Sequence, residues 1–252
     1  MALGGLGLFL LEAGMGTAVL LLFFPVGALG KGFFVLHGAL ASAFLGGAFL
    51  ARPGGYPVLA GAGSVALLCI YTGLSQAGLA RVGMPLLALG AAASVWSLTL
   101  VSLAAPRPHG DAWTLAGAFL GGLFFAAVLL TMNLGHWYLV SRSLPFRLLA
   151  RGALLFGALA CARTLVLAAA IVADANPAGL ASLLSLERDA LFFLFRVLWG
   201  IAGPLALSWF IWKTADMRSN QAATGLLYVA LVFVLIGELL SSYLTVATGF
   251  PA

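Results

Sequence analysis

Long apolar runs, broken at intervals by short polar or glycine- and proline-rich stretches, organise this chain from end to end. The breaks fall at Gly30-Lys31, Arg52 to Gly55, Gly78 to Arg81, Pro106 to Asp111, Arg142 to Pro145, Asp174 to Arg188 and Lys213 to Asn220. An α-helix rising about 1.5 Å per residue needs about 20 apolar residues to cross about 30 Å of hydrocarbon. The runs are that long. They predict eight transmembrane helices over 3–27, 32–51, 57–78, 82–104, 113–141, 147–173, 188–212 and 222–248. The fold class is therefore all-α: a polytopic membrane helix bundle forming one transmembrane domain, with no soluble domain. In the longest connection, 174–187, Ala-Asn-Pro-Ala-Gly and then Leu-Ala-Ser-Leu-Leu predict a turn followed by a short interfacial helix.

Composition agrees. Apolar residues make up 63% of the 252 and charged residues 8%, with a mean hydropathy of +1.14. A soluble domain is about 45–50% apolar and about 25% charged, so there is too little polar surface here to cover a water-soluble globule. The net charge of +5 does not point to nucleic acid, because the basic residues are single and scattered at helix ends. Nearly all are Arg, with Lys31 and Lys213 the only lysines; with the Ala, Gly and Leu richness this suggests a bacterial inner-membrane protein. No Lys or Arg precedes Lys31, so the basic start of a signal peptide is missing and the first run is read as a retained helix. Cys69 and Cys161 fall inside apolar spans without metal-ligand spacing and are expected as small buried side chains.

Orientation follows the basic residues. The odd-numbered loops carry Lys31, Arg81, Arg142, Arg147, Arg151, Lys213 and Arg218; the even-numbered ones carry Arg52, Arg107 and Arg188 and most of the loop acids, Asp111, Asp174, Glu187 and Asp189. Short loops rich in Lys and Arg stay cytoplasmic, which places both termini outside. Small residues recur within the spans: Gly117-x-x-x-Gly121, Gly14, Gly16, Gly46, Gly47, Gly61 and Gly63. They are read as places where helix backbones approach closely. Pro204 is expected to kink the seventh span. No internal repeat stands out, although eight spans permit a four-plus-four arrangement.

Function has to be sought in the ionisable residues inside the spans, since each is costly there and needs a partner. Two groups separate by depth. Glu12, Arg163, Arg196 and Glu238 come from four different spans, balance in charge and lie in the outer half. Glu238, Ser241, Ser242 and Thr245 form a polar stripe at i, i+3, i+4 and i+7 on the last helix. These four charged residues are the candidate catalytic set, an acid to accept a proton and arginines to keep it ionised. A structural ion-pair clamp accounts for them equally well. The second group, His37 and His136, lies near the inner face; Gly38 and Gly135 adjoin the two histidines, and Asn133 and Trp137 are placed on one helix face with His136. Two imidazoles from two helices suit a bis-histidine b-type haem; a quinone contact and simple interfacial hydrogen bonding are the alternatives.

No metal cluster, Ser-His-Asp arrangement or phosphate-cradling loop is present in the sequence. In span count, predicted N-out topology and buried charges, the chain resembles polytopic quinol-anchor proteins of the NrfD/DmsC type. No motif matches, so no family residue is carried over. The resemblance implies a membrane subunit of a bacterial redox complex, working with other membrane or redox subunits, that engages a quinol in the outer half. A proton-coupled small-molecule transporter using the same four charges and a non-catalytic accessory or assembly subunit are the competing readings.

Overall fold

A computed structural model describes residues 2–51, 57–104, 111–140, 144, 147–173, 177–185 and 188–252, with the backbone alone described at 2, 3, 111, 140, 177 and 188. The helices are α1 (Ala2–Leu21), α2 (Lys31–Ala51), α3 (Val58–Gln76), α4 (Ala80–Ala104), α5 (Asp111–Val140), α6 (Arg147–Val172), α7 (Pro177–Leu184), α8 (Arg188–Val197), α9 (Gly203–Asp216) and α10 (Asn220–Thr248). A π-helical turn, Leu198–Ala202, joins α8 to α9 into one continuous span. Eight spans are long and apolar enough to cross a membrane, and no strand occurs among the described residues. The chain is a multi-pass membrane protein whose exposed Leu, Ile, Val, Phe and Trp side chains meet lipid. The loop residues Arg52, Arg107, His109, Arg142, Asp174 and Glu187 lie outside the described residues, as do the side chains of Asp111 and Arg188.

The helices group four and four. Helices α1 to α4 each pack on the next, and α4 returns to α1; α5, α6, the α8–α9 span and α10 close a second ring in the same way. The rings join where α1 packs on α5 and α10 and where α4 packs on α5. Lipid supplies no hydrophobic drive between helices, so close backbone approach must hold this seam. It does so at Gly16 and Gly122: a Cβ on Gly16 would overlap the Gly122 carbonyl, and one on Gly122 would overlap the Glu12 carbonyl. Gly14 and Gly47 likewise receive Leu45 and Leu10 between α1 and α2, whereas Gly46 and Gly63 face open space.

Several boundaries differ from expectation for local reasons. Helix α1 stops at Leu21 rather than at 27. The next amides, of Leu22, Phe23 and Phe24, bond three residues back, and Pro25, with no N–H, begins a turn that accepts from Ala28 and Leu29. The seventh span runs on to Asp216 instead of ending at 212. The short helix expected after the 175–179 turn is α7, but it begins earlier, at Pro177, so that Pro177, Ala178 and Gly179 are its first residues rather than part of a turn. Cys69 and Cys161 are exposed on outer helix faces, not buried as expected; a thiol is apolar enough to face lipid.

Pro204 acts one turn upstream of its own position. It has no N–H to give the carbonyl of Gly200, four residues earlier. The preceding turn widens, with Gly203 N–H bonding Leu198 O five residues back. The Gly200 carbonyl that this leaves free accepts from Arg196 Nη1 at 3.2 Å. The helix break and the buried arginine are therefore one local structure.

Candidate functional site

Glu238 on α10 is the hub of the buried charges. Its Oε1 lies 3.0 Å from Arg196 Nη2 of α8 and its Oε2 lies 3.6 Å from Arg163 Nη2 of α6. All three side chains are at most 2% exposed. The close Gly200–Gly237 backbone crossing sets this geometry, since a Cβ on Gly200 would stand 2.6 Å from Gly237 Cα and 2.7 Å from Arg196 Nη1. Glu12, the other acid, sits across the seam on α1. Its Oε2 accepts from Ser242 Oγ at 3.0 Å, and it is within electrostatic range of Glu238 and both arginines. The four ionisable residues marked by the sequence thus meet, but unequally: one acid is gripped by two arginines and the other is held by a hydroxyl.

The polar stripe of α10 serves both. Ser242 turns to Glu12, while Ser241 accepts from Arg163 Nη2 at 2.7 Å. The Gly117-x-x-x-Gly121 pair does not make the helix contact expected of it. A Cβ at Gly121 would lie 2.5 Å from Glu238 Oε2, and one at Gly117 would lie 3.4 Å from Arg163 Nη1. These glycines make room for the charges, and the helix contact falls to Gly122.

Beside the charges is a narrow cleft with room for about one water molecule, lined by Glu12, Thr114, Arg163, Ser241 and Thr245. Thr114 lies in the first turn of α5 and Pro251 follows α10, so the mouth lies toward the side on which α1 begins. Its floor is the segment after α10, which carries no polar side chain to mark it. After α10, Gly249 takes a left-handed conformation (φ 72°) and caps the helix through its N–H to Thr245 O. Phe250 then folds back fully buried, against a cluster that includes Leu167, Leu183, Ile201 and Leu244. The Ala252 carbonyl accepts from Arg163 Nη2 at 2.7 Å and from Ser241 Oγ. Gly249 before Phe-Pro was the available signal: a helix stop followed by an apolar anchor.

The histidines do not share a site. His37 is fully buried. Its Nδ1 is 2.7 Å from Phe33 O, and its Nε2 is 3.0 Å from Asn133 Nδ2. Because an amide NH₂ only donates, Nε2 is the acceptor and Nδ1–H the donor, a neutral imidazole. The Phe33 ring lies 4.1 Å from the His37 ring, and Trp137 meets Phe33 edge-on at 5.7 Å. Asn133 and Trp137 thus face α2, but His136 is exposed and turned outward, contrary to the shared face expected. Gly38 is filled by Tyr71 and Thr72, and Gly135 by Thr224. The two histidines are thus not brought together: both nitrogens of His37 are engaged and His136 points elsewhere. No group of three His, Cys, Asp or Glu residues suited to a metal occurs among the described residues.

No protein-family model, curated protein or solved structure matches the chain.

Proposed function

We propose that this protein is a proton-coupled carrier of a small solute in the cytoplasmic membrane of a bacterium, with both termini and the cleft facing outward. The observation that carries this reading is the unequal commitment of the two acids. Glu238 is neutralised by Arg163 and Arg196, whereas Glu12 accepts one side-chain hydrogen bond and borders the cleft. Glu238 is the counter-ion, and Glu12 is the acid placed to take and release a proton. The interrupted seventh span supports a carrier over a static clamp. Carriers build binding sites where a membrane helix is broken near mid-depth, and π turns concentrate at functional sites. Here the break also bonds Arg196.

Liposomes containing the protein and a pH dye should acidify inside when one member of a panel of small organic acids, amino acids or sugars is added outside, and E12Q should abolish the response. A silent panel sinks the carrier. The orientation rests on Lys and Arg placement. With Cys69 and Cys161 replaced by Ala, Ala2→Cys should react with an impermeant thiol reagent applied to intact cells, and Arg147→Cys should be protected; the reverse pattern inverts the topology.

A second reading is a membrane subunit of a redox complex in which Glu12 or Glu238 accepts a quinol proton. Phe195 and Trp199 favour it: they expose an aromatic strip to lipid on the span that carries Arg196, where an isoprenoid tail would lie. Quinol-dependent activity with co-purifying redox subunits, and no solute response, selects this alternative.

A further inference from the structure

We infer that the second ring, at its end away from the buried charges, holds an anionic phospholipid, with the phosphate among the basic residues of α6 and α9 and an acyl chain along the tryptophan pair of α9. Neither Glu12 nor Glu238 takes part.

Two helices that pack on each other bring the parts together. As consecutive spans, α6 and α9 run in opposite directions. They are matched in level at Gly157, where a Cβ would stand 3.3 Å from Ser208 Oγ. Arg151 precedes Gly157 on α6 and lies about 9 Å toward the end of the bundle; Lys213 follows Ser208 on α9 and lies about 7.5 Å toward the same end. Arg147 is one turn further out on α6. The turn after α9 brings back Arg218, whose N–H bonds Ala215 O. All four cationic side chains are exposed, and the acid that accompanies them among the described residues of these two helices is Asp216.

These exposed residues are aligned. Arg147, Arg151 and Leu154 fall at i, i+4 and i+7 on α6, and Trp209, Lys213 and Asp216 do so on α9. Each helix therefore shows one outward stripe, charged at the end of the span and apolar further in. Leu154 is 53% exposed and Trp209 61%, and the half-buried Trp212 packs beside Trp209 with ring centroids 5.2 Å apart. Indole rings settle at the headgroup level of a bilayer, basic clusters at helix ends attract anionic headgroups, and a guanidinium fork matches two phosphate oxygens. A cationic rim above a hydrocarbon wall is complementary to a phospholipid of net negative charge. A soluble anion would leave the wall unused, and a zwitterionic headgroup would bring its own cation to the rim. The first ring offers no such rim at this end: Lys31 Nζ donates to Gln76 O at 3.4 Å, and the Arg81 guanidinium lies against Gly27, where a Cβ would stand 2.8 Å from Nη2.

The test reconstitutes the full chain in phosphatidylcholine vesicles that contain, at the same low mole fraction, either phosphatidylglycerol or phosphatidylcholine with brominated acyl chains, which quench tryptophan on contact. Brominated phosphatidylglycerol should quench the native chain more strongly. The excess should vanish when Trp209 and Trp212 are both changed to Phe, while Trp96 and Trp199, which also face lipid, are quenched equally by the two lipids. Arg151→Gln with Lys213→Gln, at two exposed positions, should weaken the preference about fivefold for each charge removed. Phosphatidylglycerol should also raise the thermal unfolding temperature of the native chain more than that of this double variant. Equal quenching by the two lipids, or an excess that survives loss of both charges, would overturn the inference and leave an ordinary lipid boundary. Loss of the excess on adding inorganic phosphate would make the ligand a soluble anion, and Trp209 screened from both lipids would mean that a second copy of the chain covers the strip; either result overturns it too.

Discussion

The two rings of four spans solve the problem of polar groups in lipid differently. In α1 to α4 many buried hydroxyls are satisfied by their own helix: Thr17 by Ala13 O, Ser64 by Gly61 O, Thr72 by Leu68 O, Ser94 by Ala91 O and Ser97 by Ala93 O, at 2.7–2.9 Å. His37 does so at Nδ1, through Phe33 O, while its Nε2 takes Asn133 of α5 across the seam. In the second ring the costly groups are ions, and their partners lie on other helices: Arg163 of α6 and Arg196 of α8 on Glu238 of α10. A hydroxyl bonded back to its own helix says nothing about which helix lies beside it. An ion whose counter-ion is on another helix specifies that neighbour, because the unpaired state is so unfavourable. Glycine crossings therefore have to define the first ring, while charge pairing also defines the second. Glu12 is the exception, the buried acid of the first ring, turned across the seam toward the charges of the second.

The contrast is broken most forcefully at its hub. Glu238→Ala leaves two buried arginines without their acid and should cost about 3–5 kcal/mol, the usual consequence of removing one partner of a buried pair. Replacing Arg196 by Met in the same chain should recover part of that loss, with a coupling energy on the order of 1–3 kcal/mol. Thermal unfolding in detergent of the native chain, both single variants and the double variant completes the cycle. Additive losses would mean that the ions do not specify the second ring.

Next in size are the glycines. Gly200 and Gly237 stand backbone to backbone, and a Cβ on Gly237 would overlap Gly200 Cα. Gly237→Ala should therefore cost about 1–3 kcal/mol through overpacking and should also disturb Arg196, which lies between these helices. Gly46 and Gly63 meet nothing within 4 Å. Alanine there should be neutral or stabilising by up to about 1 kcal/mol, through helix propensity alone. Equal losses at all of these positions would show that close packing is not what separates them.

Most of the fold was legible in the sequence because one signal dominates: in lipid the backbone must be internally bonded, so apolar length alone marks the spans. The meeting of Glu12, Arg163, Arg196 and Glu238 was legible for a related reason, since matched depth and opposite charge leave few other arrangements. The partition of partners was not. Which acid receives both arginines depends on the Gly200–Gly237 crossing and on the carbonyl released by Pro204, contacts between residues on different helices or across a turn that no spacing rule reveals. Misreading His136 had the opposite cause. Asn133 and Trp137 are four apart and share a face, whereas His136 beside Trp137 is turned about 100° away around the helix, and burial decided which direction pointed inward.

The smallest effects belong to neutral polar groups, first at the seam, where Asn133 of α5 meets His37 of α2, and then within the first ring. Asn133→Ala removes the partner of His37 Nε2 and leaves a buried acceptor unmet, which should cost about 1 kcal/mol. The loss is limited because Nδ1–H keeps its bond to Phe33 O. Ser94→Ala should do still less. Its hydroxyl bonds the Ala91 carbonyl 2.7 Å away, and that carbonyl belongs to the same helix. Removing the hydroxyl removes donor and acceptor capacity together and leaves no group on another helix stranded. Alanine also has the better helix propensity, so the change should fall within about 0.5 kcal/mol of neutral, as for substitutions away from networks and cavities. A loss at Ser94 approaching that at Glu238 would mean that its hydroxyl reaches across to a neighbouring helix, and the distinction between locally satisfied and cross-helix polar groups would fail at the position where it should hold best.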